Sequence, residues 1–145
     1  MLYLPAMALI VKTSQLPNSG KGLFTTKAIK KGSKIIEYKG EIIDWKEYER
    51  RVEIDEDGYL FFINKKRCID AFNTPQHKAR FANDAAGLGR VKGLTNNSVY
   101  EIEGDKCFIV ARKDIEAGDE IFVSYSKEYW DSVRYNIKIG RGKKF

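Results

Sequence analysis

The sequence predicts a mainly β domain built from small sheets, and three observations carry that prediction. Short β-type runs recur at spacings near ten residues, Gly- and Asn-containing turns separate them, and 145 residues leave room for one compact domain. Hydrophobic residues make up 43% and charged residues 32%, enough for one modest core under a solvated surface.

Taken in order, the β-type runs fall at 8–13, 22–26, 34–39, 60–64, 68–71, 99–103, 106–111 and 120–125. Each is rich in Val, Ile, Phe or Tyr, the side chains that pack well on a pleated surface. Gly104-Asp105, between the runs at 99–103 and 106–111, is a two-residue hairpin signal. Lys30-Lys31-Gly32 and Glu116-Ala117-Gly118 each follow an Ile and precede a β-run, so they read as matching turns. One helix is expected over 44–52. Asp44 with Glu47 three residues on makes a capping box, and Trp45, Tyr48 and Val52 share one face as expected core contacts. A second helical turn is expected within 74–82. The stretch 83–98, rich in Gly, Asn and Ala, reads as a long irregular loop of the kind that often carries function.

Charge is uneven. Residues 1–40 hold seven Lys against Glu37 alone, and 134–145 hold Arg134, Lys138, Arg141, Lys143 and Lys144 with no acid. Residues 41–57 hold eight acids against Lys46, Arg50 and Arg51, a face that would steer a basic peptide. The net charge of +6 is also compatible with a nucleic-acid partner. No apolar run reaches the ~18–20 residues of a spanning helix, so no membrane role is expected. The apolar start MLYLPAMALIV lacks a basic leader and a small-residue cleavage site, which reads as a lead-in strand over 1–9 of a cytoplasmic protein. Cys68 and Cys107 form no CxxC pair, and His77 fits no zinc spacing. Two buried free thiols and no metal are therefore expected.

Three further segments bear on chemistry. Gly20-Lys21-Gly22 is a Gly-x-Gly turn before a β-run, but no strand–turn–helix unit surrounds it, and no Ser or Thr follows the lysine as a phosphate loop requires. Arg80-Phe81-Ala82-Asn83-Asp84 heads the irregular loop, and Gly118-Asp119-Glu120-Ile121-Phe122-Val123-Ser124-Tyr125 runs from a turn into a strand ending in Tyr. In this order, SGKGLFTTKAIKKGSKIIEYKGEII, CIDA, RFAND and GDEIFVSY resemble the SET domain of protein-lysine methyltransferases, from about Ile10 to Trp130. DWKEYERR sits where that family places a variable insert.

The resemblance implies a SET-domain β-clip fold of small twisted sheets with one or two short helices, occupying 10–130. The segment at Asn83 and the strand ending at Tyr125 would thread together as a pseudoknot, and 131–145 would be a basic tail covering the active site. It implies methyl transfer from S-adenosyl-L-methionine to the side-chain amine of a lysine in a basic, histone-like or ribosomal-type protein. Tyr125 and Tyr38 would be the catalytic tyrosines. Lys21, Gly22, Leu23, Tyr59, Arg80, Asn83, Asp84, Tyr125 and Trp130 would form or support the cofactor site. Asp84 and Ala85 stand where the family carries His-Ser, and Val123 stands where many members carry Phe or Tyr. No cysteine-rich zinc segment follows, so the tail or a homodimer partner would complete the lysine channel. A catalytically impaired module that binds a protein or nucleic acid through its basic surface is the alternative reading.

Overall fold

The computed structural model describes residues 8–54, 59–87, 89–125 and 138. Three three-stranded antiparallel sheets share one core. β1 (Leu9–Thr13), β2 (Lys21–Thr25) and β9 (Glu120–Ile121) form the first, in that order. β3 (Lys34–Glu37), β8 (Lys106–Ala111) and β7 (Ser98–Glu103) form the second, with β8 central. β4 (Glu41–Ile43), β6 (Arg67–Asp70) and β5 (Leu60–Asn64) form the third, with β6 central. α1 (Trp45–Glu53) follows β4, and a 3-10 turn covers Lys78–Phe81. The mainly β class and the small sheets are as expected. β1 begins at Leu9, the last residue of the expected lead-in.

The central strands are apolar because both their faces are covered. β8 buries Cys107 through Ala111, and β2 buries Gly22 through Thr25. The β7–β8 hairpin turns at Gly104, whose φ of 64° lies in the region open to glycine at little cost. The matching turns are joined: Ile29 and Ile115 exchange two main-chain hydrogen bonds of 2.8 Å, tying the first sheet to the second. Cys68 and Cys107 are both buried and free.

The sequence reading needs three corrections. The strand β4, only three residues long, was not expected, whereas the helical turn expected within 74–82 is present as a 3-10 turn over four residues. The run at 120–125 is a ladder only at Glu120–Ile121, after which Phe122 and Val123 make single parallel bridges to Asn83 and Ser98. Finally, α1 buries none of its side chains. Trp45 and Tyr48 stack at 5.4 Å and meet Phe62 on the outer face of the third sheet, where Phe62 is 41% exposed. Periodicity identified the apolar face of the helix correctly. That face covers the side of the sheet turned away from the main core, because Ile43, Cys68 and Phe62 share it while Ile69 and Phe61 turn to the core; Ile42, on edge strand β4, is 47% exposed.

What holds α1 is charge. Asp44 caps it by accepting from the Glu47 amide at 2.9 Å. Arg51 reaches from its last turn to Asp70 (2.5 Å) and to both oxygens of Glu41 (3.0 and 3.1 Å), fastening the helix to β4 and β6. These bonds raise the guanidinium further above its ordinary range and hold the Glu41 carboxyl below its own.

Candidate active site

The chain crosses itself between residues 82 and 125. The stretch after β9 runs between two other segments: the Val123 amide donates to the Asn83 carbonyl (2.8 Å) on one side, and the Ser98 amide donates to the Phe122 carbonyl (3.0 Å) on the other. The side chain of Asn97 locks the crossing, accepting from the Phe122 amide (3.0 Å) and donating to the Glu120 carbonyl (2.9 Å). Ser98 Oγ adds a bond of 2.8 Å to the Phe122 carbonyl. This threading is the pseudoknot, and it presents Tyr125 at its exit.

Tyr125 is half-buried and held at both ends. Its hydroxyl donates to the Ala82 carbonyl in a short hydrogen bond, and its amide donates to Asp84 Oδ2 at 2.9 Å. Its ring stacks on Tyr100 at 6.4 Å and 22°, and Tyr100 in turn meets Phe61 (5.1 Å) and Tyr38 (6.0 Å). Three rings from three strands or their ends therefore back the ring of Tyr125. Burial pushes the phenols of Tyr100 and Tyr38 well above their ordinary range, Tyr100 with help from Tyr125 and Tyr38 with help from Asp70. Both stay neutral hydroxyls through physiological pH.

Of the residues expected at the site, Lys21, Asn83, Asp84 and Tyr125 come together. Asn83 Nδ2 donates to the Lys21 carbonyl at 3.0 Å, joining the Gly-x-Gly turn to the crossing. Asp84 is 6% exposed, and its carboxylate is engaged within the loop: Oδ1 accepts from Asn96 Nδ2 and from the Ala86 amide, both at 2.8 Å.

Gly22 lies beside this group for a reason of space. A Cβ there would sit 2.3 Å from Glu120 Oε2 and 2.9 Å from Glu120 Cδ. That carboxylate is 2% exposed and accepts from Ser14 Oγ (2.7 Å) and the Gln15 amide (2.8 Å). Leu23 is fully buried in the core, and its main chain lies between Val11 of β1 and Ile121 of β9.

Tyr38, Tyr59 and Arg80 form a second group. Tyr38 is buried, and its hydroxyl donates to the Tyr59 carbonyl at 2.9 Å. Arg80 Nη1 donates to the carbonyls of Ala71 (2.9 Å) and Phe72 (2.8 Å), while its guanidinium lies 4.4 Å from the Tyr59 ring and 4.7 Å from the Phe81 ring. Arg80 therefore braces the turn after β6 against the 3-10 turn that leads into Ala82 and Asn83. Trp130 lies outside the described residues.

Sequence reasoning missed Tyr100 and Asn96. Tyr100 sits in a β-run with no motif around it, and only the register that sets it opposite Ile109 turns it toward Tyr38. Asn96 carried the weak signal of its Asn-Asn pair.

The comparisons with known proteins agree with this arrangement. The SET-domain profile matches residues 20–126, which spans the Gly-x-Gly turn, the loop and Tyr125.

The chain belongs to the SET-domain family.

It is 30% identical to the histone-lysine N-methyltransferase set-1 of Caenorhabditis elegans over 126 residues, which is 81% of this chain and 50% of that protein. Among solved structures, it is similar to a humanized mutant of the Chaetomium thermophilum Polycomb Repressive Complex 2 bound to the inhibitor GSK126, with a TM-score of 0.65 and 30% identity. It is equally similar, at the same score and identity, to an active polycomb repressive complex 2 in the basal state. The matches cover 82% and 83% of this chain and 15% of each of those chains. This SET domain thus spans about half the length of the curated relative and a smaller part of the chains in those complexes.

Proposed function

We propose that this SET domain transfers a methyl group from S-adenosyl-L-methionine to the side-chain amine of a lysine in a basic protein. The observation that carries the reading is Tyr125, held at its amide and its hydroxyl by the segment 82–84 and backed by Tyr100 at the mouth of the crossing. Exposed Lys21 and half-exposed Asn83 stand beside it. A cation, an amide and a phenol oxygen along one edge fit a zwitterionic organic cofactor. When bound, that cofactor supplies an electrophilic methyl on a sulfonium.

The protein's own task is positioning. Displacement at a methyl carbon requires the amine in line and neutral, and holding reactants so is worth up to several orders of magnitude in rate. Because the Tyr125 hydroxyl spends its proton on Ala82, its oxygen lone pairs are directed to a partner that donates, such as the amine or the polarised C–H groups of the methyl. The neighbouring aromatic rings exclude water, and a desolvated lysine loses its proton more readily. No general base is needed within the cluster. The neutral phenols of Tyr38 and Tyr100 keep charge out of it.

The segment 41–57 supports a basic substrate, with Glu49 and Glu53 on α1 beside the third sheet. The named activity of the relative, a histone-lysine N-methyltransferase, supports the same class. The test is incubation of the protein and a Tyr125→Phe variant with methyl-labelled S-adenosyl-L-methionine, histones and whole-cell lysate. Label on a protein band with the wild type and at least tenfold less with the variant is the expected result. No labelled protein in any mixture, with no cofactor binding by calorimetry, would leave the alternative of a binding module.

A further inference from the structure

Resting on the methyl-transfer reading, we propose that Asp84, braced by Asn96, is a positioning residue that aims Tyr125 by gripping its main chain. Three N–H groups converge on this one carboxylate: Tyr125 N on Oδ2 (2.9 Å), and Asn96 Nδ2 and Ala86 N on Oδ1 (2.8 Å each). Asn96 is itself fixed, because its Oδ1 accepts from the Ala85 amide at 2.8 Å. The grip is part of a longer seam. Ala82 takes the Tyr125 hydroxyl, Asn83 takes the Val123 amide, and Asp84 takes the Tyr125 amide, so three consecutive residues hold the tyrosine segment at three points.

The residue type is matched to this task. A carboxylate is acceptor-only on both oxygens, so it satisfies donors arriving from both sides. A carboxamide would turn an NH₂ toward either the Tyr125 amide or the Asn96–Ala86 pair. A neutral histidine, the residue the family carries here, has one acceptor nitrogen and could not take all three donors. Since the hydroxyl lies at the far end of the ring from the Tyr125 amide, slack at the amide becomes misalignment at the reacting end, where small errors are costly in rate.

The test compares Asp84→Asn, Asn96→Asp and the double exchange in the full chain. It reads turnover with a labelled substrate, S-adenosyl-L-methionine affinity by calorimetry, and the Tyr125 amide resonance in ¹⁵N-labelled protein. Asp84→Asn is expected to lower kcat about 10- to 100-fold while the cofactor Kd stays within about threefold, and to move the Tyr125 amide proton upfield. In the double exchange, residue 84 keeps its oxygen for Tyr125 and donates its NH₂ to a carboxylate at 96, leaving only the Ala86 amide without its acceptor. It should recover at least about tenfold of the lost kcat over Asp84→Asn. Should Asp84→Asn unfold, Asn96→Ala, which leaves the carboxylate and removes its brace together with the acceptor of the Ala85 amide, is expected to give a smaller loss of the same kind.

A cofactor Kd that rises in step with the loss of kcat would overturn the proposal in favour of direct cofactor contact. An unmoved Tyr125 amide, or a double exchange no better than the single, would overturn it outright. Wild-type protein that transfers no methyl group defeats the function reading instead, and the amide resonance still decides whether Asp84 grips Tyr125.

Discussion

Replacing Gly22 by Ala tests whether the Gly-x-Gly turn is shaped by the buried acid beneath it. The added Cβ would meet Glu120 Oε2 at 2.3 Å, Glu120 Cδ at 2.9 Å and Ser14 Cβ at 3.2 Å. Real Cβ atoms do not approach so closely, so the carboxylate must move. Moving it loosens the hydrogen bonds from Ser14 Oγ and the Gln15 amide, at 2.7 and 2.8 Å, in a site where water cannot replace them. Overpacking of a core costs about 1–3 kcal/mol, and a weakened bond to a buried charged group about 1.5–3 kcal/mol. We expect Gly22→Ala to lose about 3 kcal/mol, read as a lower urea midpoint at unchanged slope. The backbone of Gly22 is not in the left-handed region, so a conformational penalty does not confuse the result. Glu120→Ala in the same chain removes the obstructing atoms, and the pair should be less costly than the sum of the singles by about 1 kcal/mol or more. A Gly22→Ala loss under about 0.5 kcal/mol, or strict additivity with Glu120→Ala, would refute the reasoning.

Other predictions follow from the same contacts. Arg51→Ala removes the guanidinium from Asp70 and Glu41, so α1 should lose helicity by circular dichroism and its amides should exchange faster with solvent. In the wild type, the Glu41 carboxyl is held low by Arg51. Its contribution is present above the ordinary carboxylate pKa and fades as pH falls through the lowered value, which amide exchange on α1 across an acid titration reads directly. Burial pushes the Cys107 thiol up to about 12, so stability that depends on it is intact below about 9, falls as pH rises between these values, and native thiol labelling should stay far slower than in urea. Phe61→Ser should cost about 3 kcal/mol or more because its ring packs on Tyr38 and Tyr100, whereas Phe62→Ser on the outer face should cost under about 1 kcal/mol, both read by urea unfolding.

The parts of this fold that were legible in the sequence are those with local causes. Gly104 sits in a tight hairpin that only neighbouring residues define, and the turns at Gly32 and Gly118 read as a pair because each follows an Ile that the structure then joins to the other. The capping of α1 by Asp44 is likewise a matter of three residues. What the sequence withheld was orientation between distant segments. The periodicity of Trp45, Tyr48 and Val52 marks a shared face but does not say which side of a sheet that face will cover. β4 is three residues long and its pattern merges with its neighbours, so only the partner strand β6 makes it a strand. Motif order identified Asn83 and Tyr125 as members of one site. It did not reveal Tyr100, Glu120 or Asn96 as their supports, because contacts between separate segments of the chain, whether a ring stack or a buried polar bond, leave no periodic trace.

Those supports share a logic that explains why the site needs a knot-like crossing at all. Tyr125 follows a β9 only two residues long, too short to hold an exposed strand end by ladder bonds alone. The crossing replaces the missing ladder with side chains: Asn97 and Ser98 fix Phe122 from one side, and Asn83 and Asp84 take the amides of Val123 and Tyr125 from the other. Glu120, buried under the Gly-x-Gly turn, anchors the start of the same segment to Ser14 and Gln15. The tyrosine is thus placed by bonds to β1's end, the loop and β7 together, and a shift in any of them is felt at its hydroxyl. The proposed methyl transfer would ask for that kind of placement and for little acid–base chemistry, which fits polar side chains spent on geometry.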